Sequence, residues 1–233
     1  MPKIKENEYM IDSILNIDCL EGLKLIPDKS VDLIVMDPPY SFARTEGAGI
    51  YGKNRVYYKE IRNLSKGITN DFLDMLLDKQ KAVNVYIWCN KAQLRQYFDY
   101  FEDRGCFTDL LTWHKSNPIP TCSNKYLSDT EYLFFAKDKG VKIFGSYETK
   151  RKYYVSPLNT IDKEKYGHPT VKPLNIIKNL IINSSEGGGR CLTLSLDRVP
   201  QQLPLRCWAD ITSDSRLTRS IIRPHVKGWG IFR

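Results

Sequence analysis

The sequence predicts a doubly wound α/β sheet, and three features predict it. Two β-rich apolar runs, 31–36 and 83–88, have the composition of buried parallel strands. Stretches with helical periodicity alternate with them. The first run stops abruptly at Asp37-Pro38-Pro39-Tyr40, and the polar loop at the carboxyl end of a buried strand is where open α/β sheets place ligands.

The elements follow in order. Residues 13–17 read as a short strand ending at Asp18-Cys19, 20–26 as a helix and 27–30 as a turn around Pro27. After the strand 31–36, residues 41–66 show no periodicity and read as a long mobile loop. Asn70 is placed to cap a helix over 71–77. The strand 83–88 is followed by a helix over 93–102. Residues 110–115 and 131–137 read as a closing strand pair, joined by a loop with Pro118 and Pro120. The segment 147–166, rich in Lys, Arg and Tyr, reads either as a basic loop for phosphates and bases or as a solvated one. Residues 174–182 form an amphipathic helix.

The bulk properties limit the function. A chain of 233 residues suits one sizeable α/β domain. No apolar run approaches membrane-spanning length, and the polar start predicts no secretory signal. The six cysteines have no CxxC pair, as expected of reduced thiols in the cytoplasm rather than of disulfides or a zinc site. The formal charge of +8 invites a nucleic-acid partner, yet five of those charges fall in residues 189–233. That tail has seven Arg and one Lys, whereas upstream Lys outnumbers Arg about threefold. The tail is therefore compositionally foreign and says little about the core.

Asp37-Pro38-Pro39-Tyr40 fits a specific chemical problem. An exocyclic amine on a nucleobase has its lone pair delocalised into the ring and is a poor nucleophile. A carboxylate and a backbone carbonyl that accept its two N–H bonds pull the nitrogen toward tetrahedral geometry. Two prolines aim the carbonyl without adding a donor, and the neighbouring Tyr ring can stack on a flipped base. A Pro-Pro turn with a surface Asp and a packing Tyr is the plain alternative. With the preceding segments 16–23 and 27–34, this stretch resembles the DNA amino-methyltransferases whose catalytic motif precedes their cofactor motif. His168-Pro169-Thr170-Val171-Lys172-Pro173 resembles a later segment of the same family, and 113–118 and 131–135 resemble its base-pocket segments.

The resemblance implies a Rossmann-like methyltransferase sheet and S-adenosylmethionine as cofactor. It implies Asp37, Pro38, Pro39 and Tyr40 as catalytic residues. Asp18, with Cys19 beside it, would reach the cofactor's adenine, and His168, Pro169, Thr170 and Lys172 would help hold its methionine end, near Asp37. Double-stranded DNA is the implied partner, and a homodimer stays open beside a monomer. An Asp at the first motif position favours adenine N6, with cytosine N4, a non-catalytic DNA- or partner-binding remnant and a glutamine side-chain amide as alternatives. Taken alone, Trp113 and Phe134-Phe135 read as core and His114 as a structural histidine. The domain expected is 1–192, with a small target-recognition insert at about 138–167.

The resemblance ends near residue 188. The family expects a strand and a glycine loop of the form D-P-F-x-G-S-G-T-T, but no glycine occurs between Gly189 and Gly228. Joining the last base of each codon to the first two of the next offers an explanation. Leu192/Thr193 can then spell Asp, Thr193/Leu194 Pro and Leu194/Ser195 Phe. After one free position, Leu196/Asp197 through Pro200/Gln201 can spell G-S-G-T-T. Cys207/Trp208 and Trp208/Ala209 are forced to Leu and Gly, and 213–218 can spell G-F-E-I-D. Eight specified positions agree by chance about once in 10⁵. Residues from about 193 are thus expected to be out of frame. The two strands they should supply would leave a central gap in the sheet, although the Leu192/Leu194/Leu196 alternation could still build one strand.

Overall fold

A computed structural model describes residues 18–41, 67–120, 124, 126–158, 172–184 and 189–195, with the backbone alone at 13–14, 195 and 206–209. Twelve elements occur among them, in the order β1 (Ser13–Ile14), α1 (Cys19–Lys24), β2 (Leu33–Asp37), α2 (Asn70–Asp78), β3 (Asn84–Cys89), α3 (Leu94–Glu102), β4 (Phe107–Lys115), β5 (Thr130–Lys137), β6 (Tyr153–Ser156), α4 (Leu174–Ser184), β7 (Cys191–Ser195) and β8 (Arg206–Ala209). The eight strands make one sheet in the order β1-β8-β7-β2-β3-β5-β4-β6. β2 runs parallel to β7 and β3, while β5 lies antiparallel to both β3 and β4.

The period of two along the central strands divides the core between the two faces of the sheet. Ile34, Met36, Val85, Ile87, Phe134 and Leu192 pack with Leu23 of α1, Leu73 of α2 and Tyr97 and Phe101 of α3. Leu33, Val35, Tyr86, Trp88, Leu133 and Trp113 face the other way, onto Ile176, Ile177, Leu180 and Ile181 of α4. Helices cover both faces, as a doubly wound sheet requires. Asn84 ties the layers together at the start of β3: its amide donates to Asp32 O and Ser184 O, each at 3.1 Å.

Three expectations need correction. The cap of α2 is Thr69, whose extended backbone lets Oγ1 accept from Phe72 N at 3.2 Å; Asn70 is already helical and accepts from Gln96 instead. The segment 147–166 contains a strand, β6, which extends the sheet edge in parallel with β4. The central gap is absent, because β7 and β8 fill the positions between β2 and β1. Leu192 and Leu194 alternate into the α1–α3 side, so β7 pairs with β2 from Leu33↔Cys191 to Asp37↔Ser195. β8 then returns antiparallel to β7. Only ten residues separate the two strands, fewer than the dozen or so that a parallel crossover takes.

The loop 42–66 and the stretch around 159–171 lie outside the described residues. No helix among the described residues is long and apolar enough to cross a membrane.

Candidate active site

Side-chain alternation brings a set of charged and aromatic residues to one end of the α4 face. Asp37 shares the parity of Leu33 and Val35, and Glu131 that of Leu133 and Phe135. Lys115 follows Trp113 by two along β4. The β4–β5 register sets Trp113 opposite Glu131, and the β4–β6 register sets it opposite Tyr154. Lys172 enters the same place from the residues just before α4.

Lys172 is the hub. Its Nζ donates to Glu131 Oε2 at 2.8 Å and to Tyr40 OH at 3.0 Å, and forms an ion pair with Asp37 Oδ1 at 3.3 Å. The ammonium also lies 5.0 Å from the Trp88 ring centre and 5.2 Å from that of Tyr40. The Tyr40 hydroxyl donates to Glu131 Oε2 at 3.4 Å. The other carboxylate oxygen of Glu131 pairs with Lys115 Nζ at 2.7 Å, and Lys115 sits 5.4 Å from the centre of the Trp113 ring. Asp37, Lys172, Glu131 and Lys115 thus form an alternating row of charge.

Ionisation follows from these neighbours. Burial would raise the Glu131 carboxyl, but Lys172 and Lys115 overcome it and hold it at about 2. Burial would likewise lower Lys172, and Asp37, Tyr40 and Glu131 outweigh that, keeping it well above an ordinary lysine. Tyr40 is held well above the usual phenol range, first by burial and then by the two carboxylates, against the pull of Lys172. Cys89, at the end of β3, is pushed up to about 12 by burial and stays a thiol.

The loop after β2 is held from below. Gln93 is buried, and its Nε2 donates to Pro39 O and to Tyr97 OH, both at 3.0 Å. Asn90 Nδ2 donates to Ser41 O at 2.5 Å. Gly67, at φ +70°, approaches this pair closely enough that a Cβ there would lie 3.3 Å from Gln93 Nε2. Among the described residues, no hydrogen bond is made to the carbonyl of Pro38. The Pro39 carbonyl is thus already taken within the loop.

Of the residues singled out in the sequence, Asp37, Pro38, Pro39, Tyr40 and Lys172 come together here. Asp18 instead opens α1, where Oδ1 accepts from Leu20 N at 2.9 Å and Glu21 N at 3.4 Å. Cys19 is buried in the core on the α1–α3 side. His168, Pro169 and Thr170 lie outside the described residues. His114 sits between Thr112 Oγ1 and Thr130 Oγ1, as a structural histidine would, and Trp113, Phe134 and Phe135 are core. Trp88, Gln93 and Asn90 were not singled out as functional, and Lys115 and Glu131 fell within the segments expected to line the base pocket without a role of their own. The signal for Lys115 and Glu131 was available: each is a charge at an inward position of a strand whose other inward residues are apolar.

The model of a family described as DNA methylase matches residues 31–192, well over half of the chain. The chain belongs to that family of N6 and N4 DNA methylases. A type II methyltransferase of Moraxella bovis, M2.MboI, is 23% identical over 198 residues, covering 72% of this chain and 69% of its own. M.HinfI of Haemophilus influenzae, another type II methyltransferase, is 27% identical over 221 residues, covering 78% of this chain and 58% of its own length. The crystal structure of an M1.HpyAVI–SAM complex superposes with a TM-score of 0.54 at 22% identity, covering 78% of this chain and 81% of that one. The cytosine-N4-specific PvuII DNA methyltransferase also reaches 0.54, at 15% identity, with 78% and 74% covered. At such identities the two structures speak for the fold.

DNA methylases of this kind take their methyl group from S-adenosylmethionine. β7 ends beside Asp37 at Ser195, where a close approach of backbone to ligand calls for glycine, and the sequence holds none from 190 to 227. β8 comes back antiparallel, so its carboxyl end points away from the ligand end of the sheet. Lys172 is surrounded by Glu131, Tyr40 and Asp37.

Proposed function

We propose that this chain carries the base-handling half of a DNA methyltransferase acting on the exocyclic N6 of a flipped adenine, and that its cofactor half is not completed. The observation that carries the first part is the pair of acceptors at the end of β2. Asp37, at the carboxyl end of β2, and the adjacent Pro38 carbonyl would accept the two N–H bonds of one amine, which localises its lone pair for attack. Tyr40 stands beside them, anchored through its hydroxyl to Lys172 and Glu131, and its ring would take the base plane. Asp37 at the first motif position supports adenine over N4 of cytosine. The partner is double-stranded DNA. Tyr147 and Tyr153, both exposed and flanked by Arg151, would contribute to its contact through the small insert that includes β6.

The second part rests on the antiparallel return of β8, the missing glycines and the end of the family match at residue 192. Residues from about 193 are out of frame in this reading, and the chain is a remnant that retains the amine-binding loop. Gene sequencing tests the frame directly: codons unable to spell the glycine motif would sink it. Calorimetry with S-adenosylmethionine tests the consequence, with the frame-restored protein alongside. Binding by the restored protein alone is the expected result. Micromolar binding by this chain as it stands would overturn the proposed defect. Transfer to DNA by the restored protein, followed by nucleoside analysis, then distinguishes N6-methyladenine from N4-methylcytosine.

A further inference from the structure

Gln93 stands just before α3, where a short polar side chain ordinarily caps the helix. Among the described residues, its amide makes no capping bond. The residue is 1% exposed, and an amide is costly to bury unless its polar atoms are satisfied. Here the loop after β2 and its surroundings satisfy them. Nε2 donates to Pro39 O and to Tyr97 OH, both at 3.0 Å, and Oε1 accepts from Asn90 N at 3.3 Å. Asn90 divides its amide in a similar way. Its Oδ1 accepts from Ala92 N at 3.0 Å and so shapes the turn into α3, while its Nδ2 donates to Ser41 O. Gly67 closes the place from the side: a Cβ there would lie 3.3 Å from Gln93 Nε2 and 3.5 Å from Ser41 Cβ, at a φ of +70° that favours glycine.

The two carbonyls that these amides hold, of Pro39 and Ser41, bracket Tyr40. Its backbone is thus gripped from α3, while its ring packs against the α4-side core and its hydroxyl meets Lys172 and Glu131. A ring held only at its hydroxyl still swings with its backbone. Held at both ends, its plane is set. We infer that Gln93, with Asn90 as its partner, is a positioning residue that sets the plane of the Tyr40 ring through the backbone of residues 39–41. The inference rests on the reading of Tyr40 as the ring that takes the base, for which a plane set in advance lowers the ordering cost of stacking. Gln96, further along α3, gives the contrast. Its Nε2 donates to Ile68 O and Asn70 Oδ1, both at 2.9 Å, and so serves a different segment.

The test is the ring ¹³Cε–¹H signal of Tyr40 in the full chain, labelled at tyrosine and assigned by its loss in Tyr40→Phe. Gln93→Met fills the same space without a donor, so the Tyr40 signal should move by more than its own width and broaden. Asn90→Asp keeps an oxygen for Ala92 N but, when ionised, has no donor for Ser41 O, so the signal should move by less. Gln96→Met, a like change on the same helix, should leave it in place. A merely structural role for the two amides predicts a different set. Asn90→Asp would then be silent, because the turn is kept, and Gln93→Met would act no differently from Gln96→Met. An unmoved signal in Gln93→Met, or an equal movement in Gln96→Met, overturns the inference. Should Gln93→Met fail to fold, Asn90→Asp decides alone, and an unmoved signal there overturns it. None of these readings needs cofactor or DNA. Absence of methyl transfer from the frame-restored enzyme would remove the base-handling reading, while the Tyr40 signal would still decide on Gln93.

Discussion

Glu131 carries a large electrostatic consequence for a single side chain, with its two oxygens paired to two lysines. Its carboxyl is held at about 2 against an ordinary value near 4.5, so the folded state binds its proton less readily than the unfolded chain does. A depressed carboxylate contributes stability that is fully present above about pH 4.5 and lost as pH falls from there toward 2. The size is about 3 kcal/mol, taking 1.36 kcal/mol per pH unit. Glu131→Gln should therefore destabilise the protein by about that amount at pH 7 and flatten the acid limb of the stability curve between pH 4.5 and 2. Denaturant unfolding at several pH values measures both. A variant that keeps the full wild-type acid dependence would show that other carboxylates carry it.

The elements were legible where burial leaves a pattern. β2 and β3 bury residues on both faces and stand out as continuous apolar runs, and α3 has one apolar face against the sheet. β6 was not legible, because as an edge strand it exposes Tyr153 and Val155 and imitates a solvated loop. The boundary of α2 was misplaced by one residue since Thr69 and Asn70 are both good caps, and only the extended backbone of Thr69 decides between them. Thr69→Ala should cost about 1 kcal/mol, seen as a lower denaturation midpoint with unchanged slope. Asn84→Ala should cost more, about 2–3 kcal/mol, because it leaves the carbonyls of Asp32 and Ser184 short of a donor in a buried place. Were the two substitutions to cost the same, the clasp between β2, β3 and α4 would be weaker than its geometry implies.

Within the candidate site, the tetrapeptide stood out in the sequence because its four residues are consecutive. The pairing of Lys172 with Glu131 was not, since 41 positions separate them and only the meeting of β5 with the approach to α4 joins them. Lys172 was noticed for its motif, with the methionine end of the cofactor as its expected contact. Lys115 reaches the same row from β4, and no local pattern in the sequence connects it to Asp37.

At the scale of the sheet, the described strands on the two sides of β2 differ in how they are connected. From β2 to β6 every strand is paired and both faces are covered, and the family match spans that region. Beyond β7 the chain closes the sheet by the short antiparallel return that ten residues allow. A parallel strand with its own crossover would instead add a covered layer and bring a second strand end to the ligand side. The frame-restored protein should therefore melt at a higher temperature than this chain even without ligand. S-adenosylmethionine at a hundred times its dissociation constant should stabilise the restored protein further by about 2.7 kcal/mol, and leave this chain unmoved. Thermal unfolding of the two proteins with and without the cofactor separates the possibilities. Equal melting temperatures without cofactor would mean that the antiparallel closure is as good a support as a parallel one. A cofactor-dependent rise in this chain would mean that residues after Ser195 build a cradle without glycine.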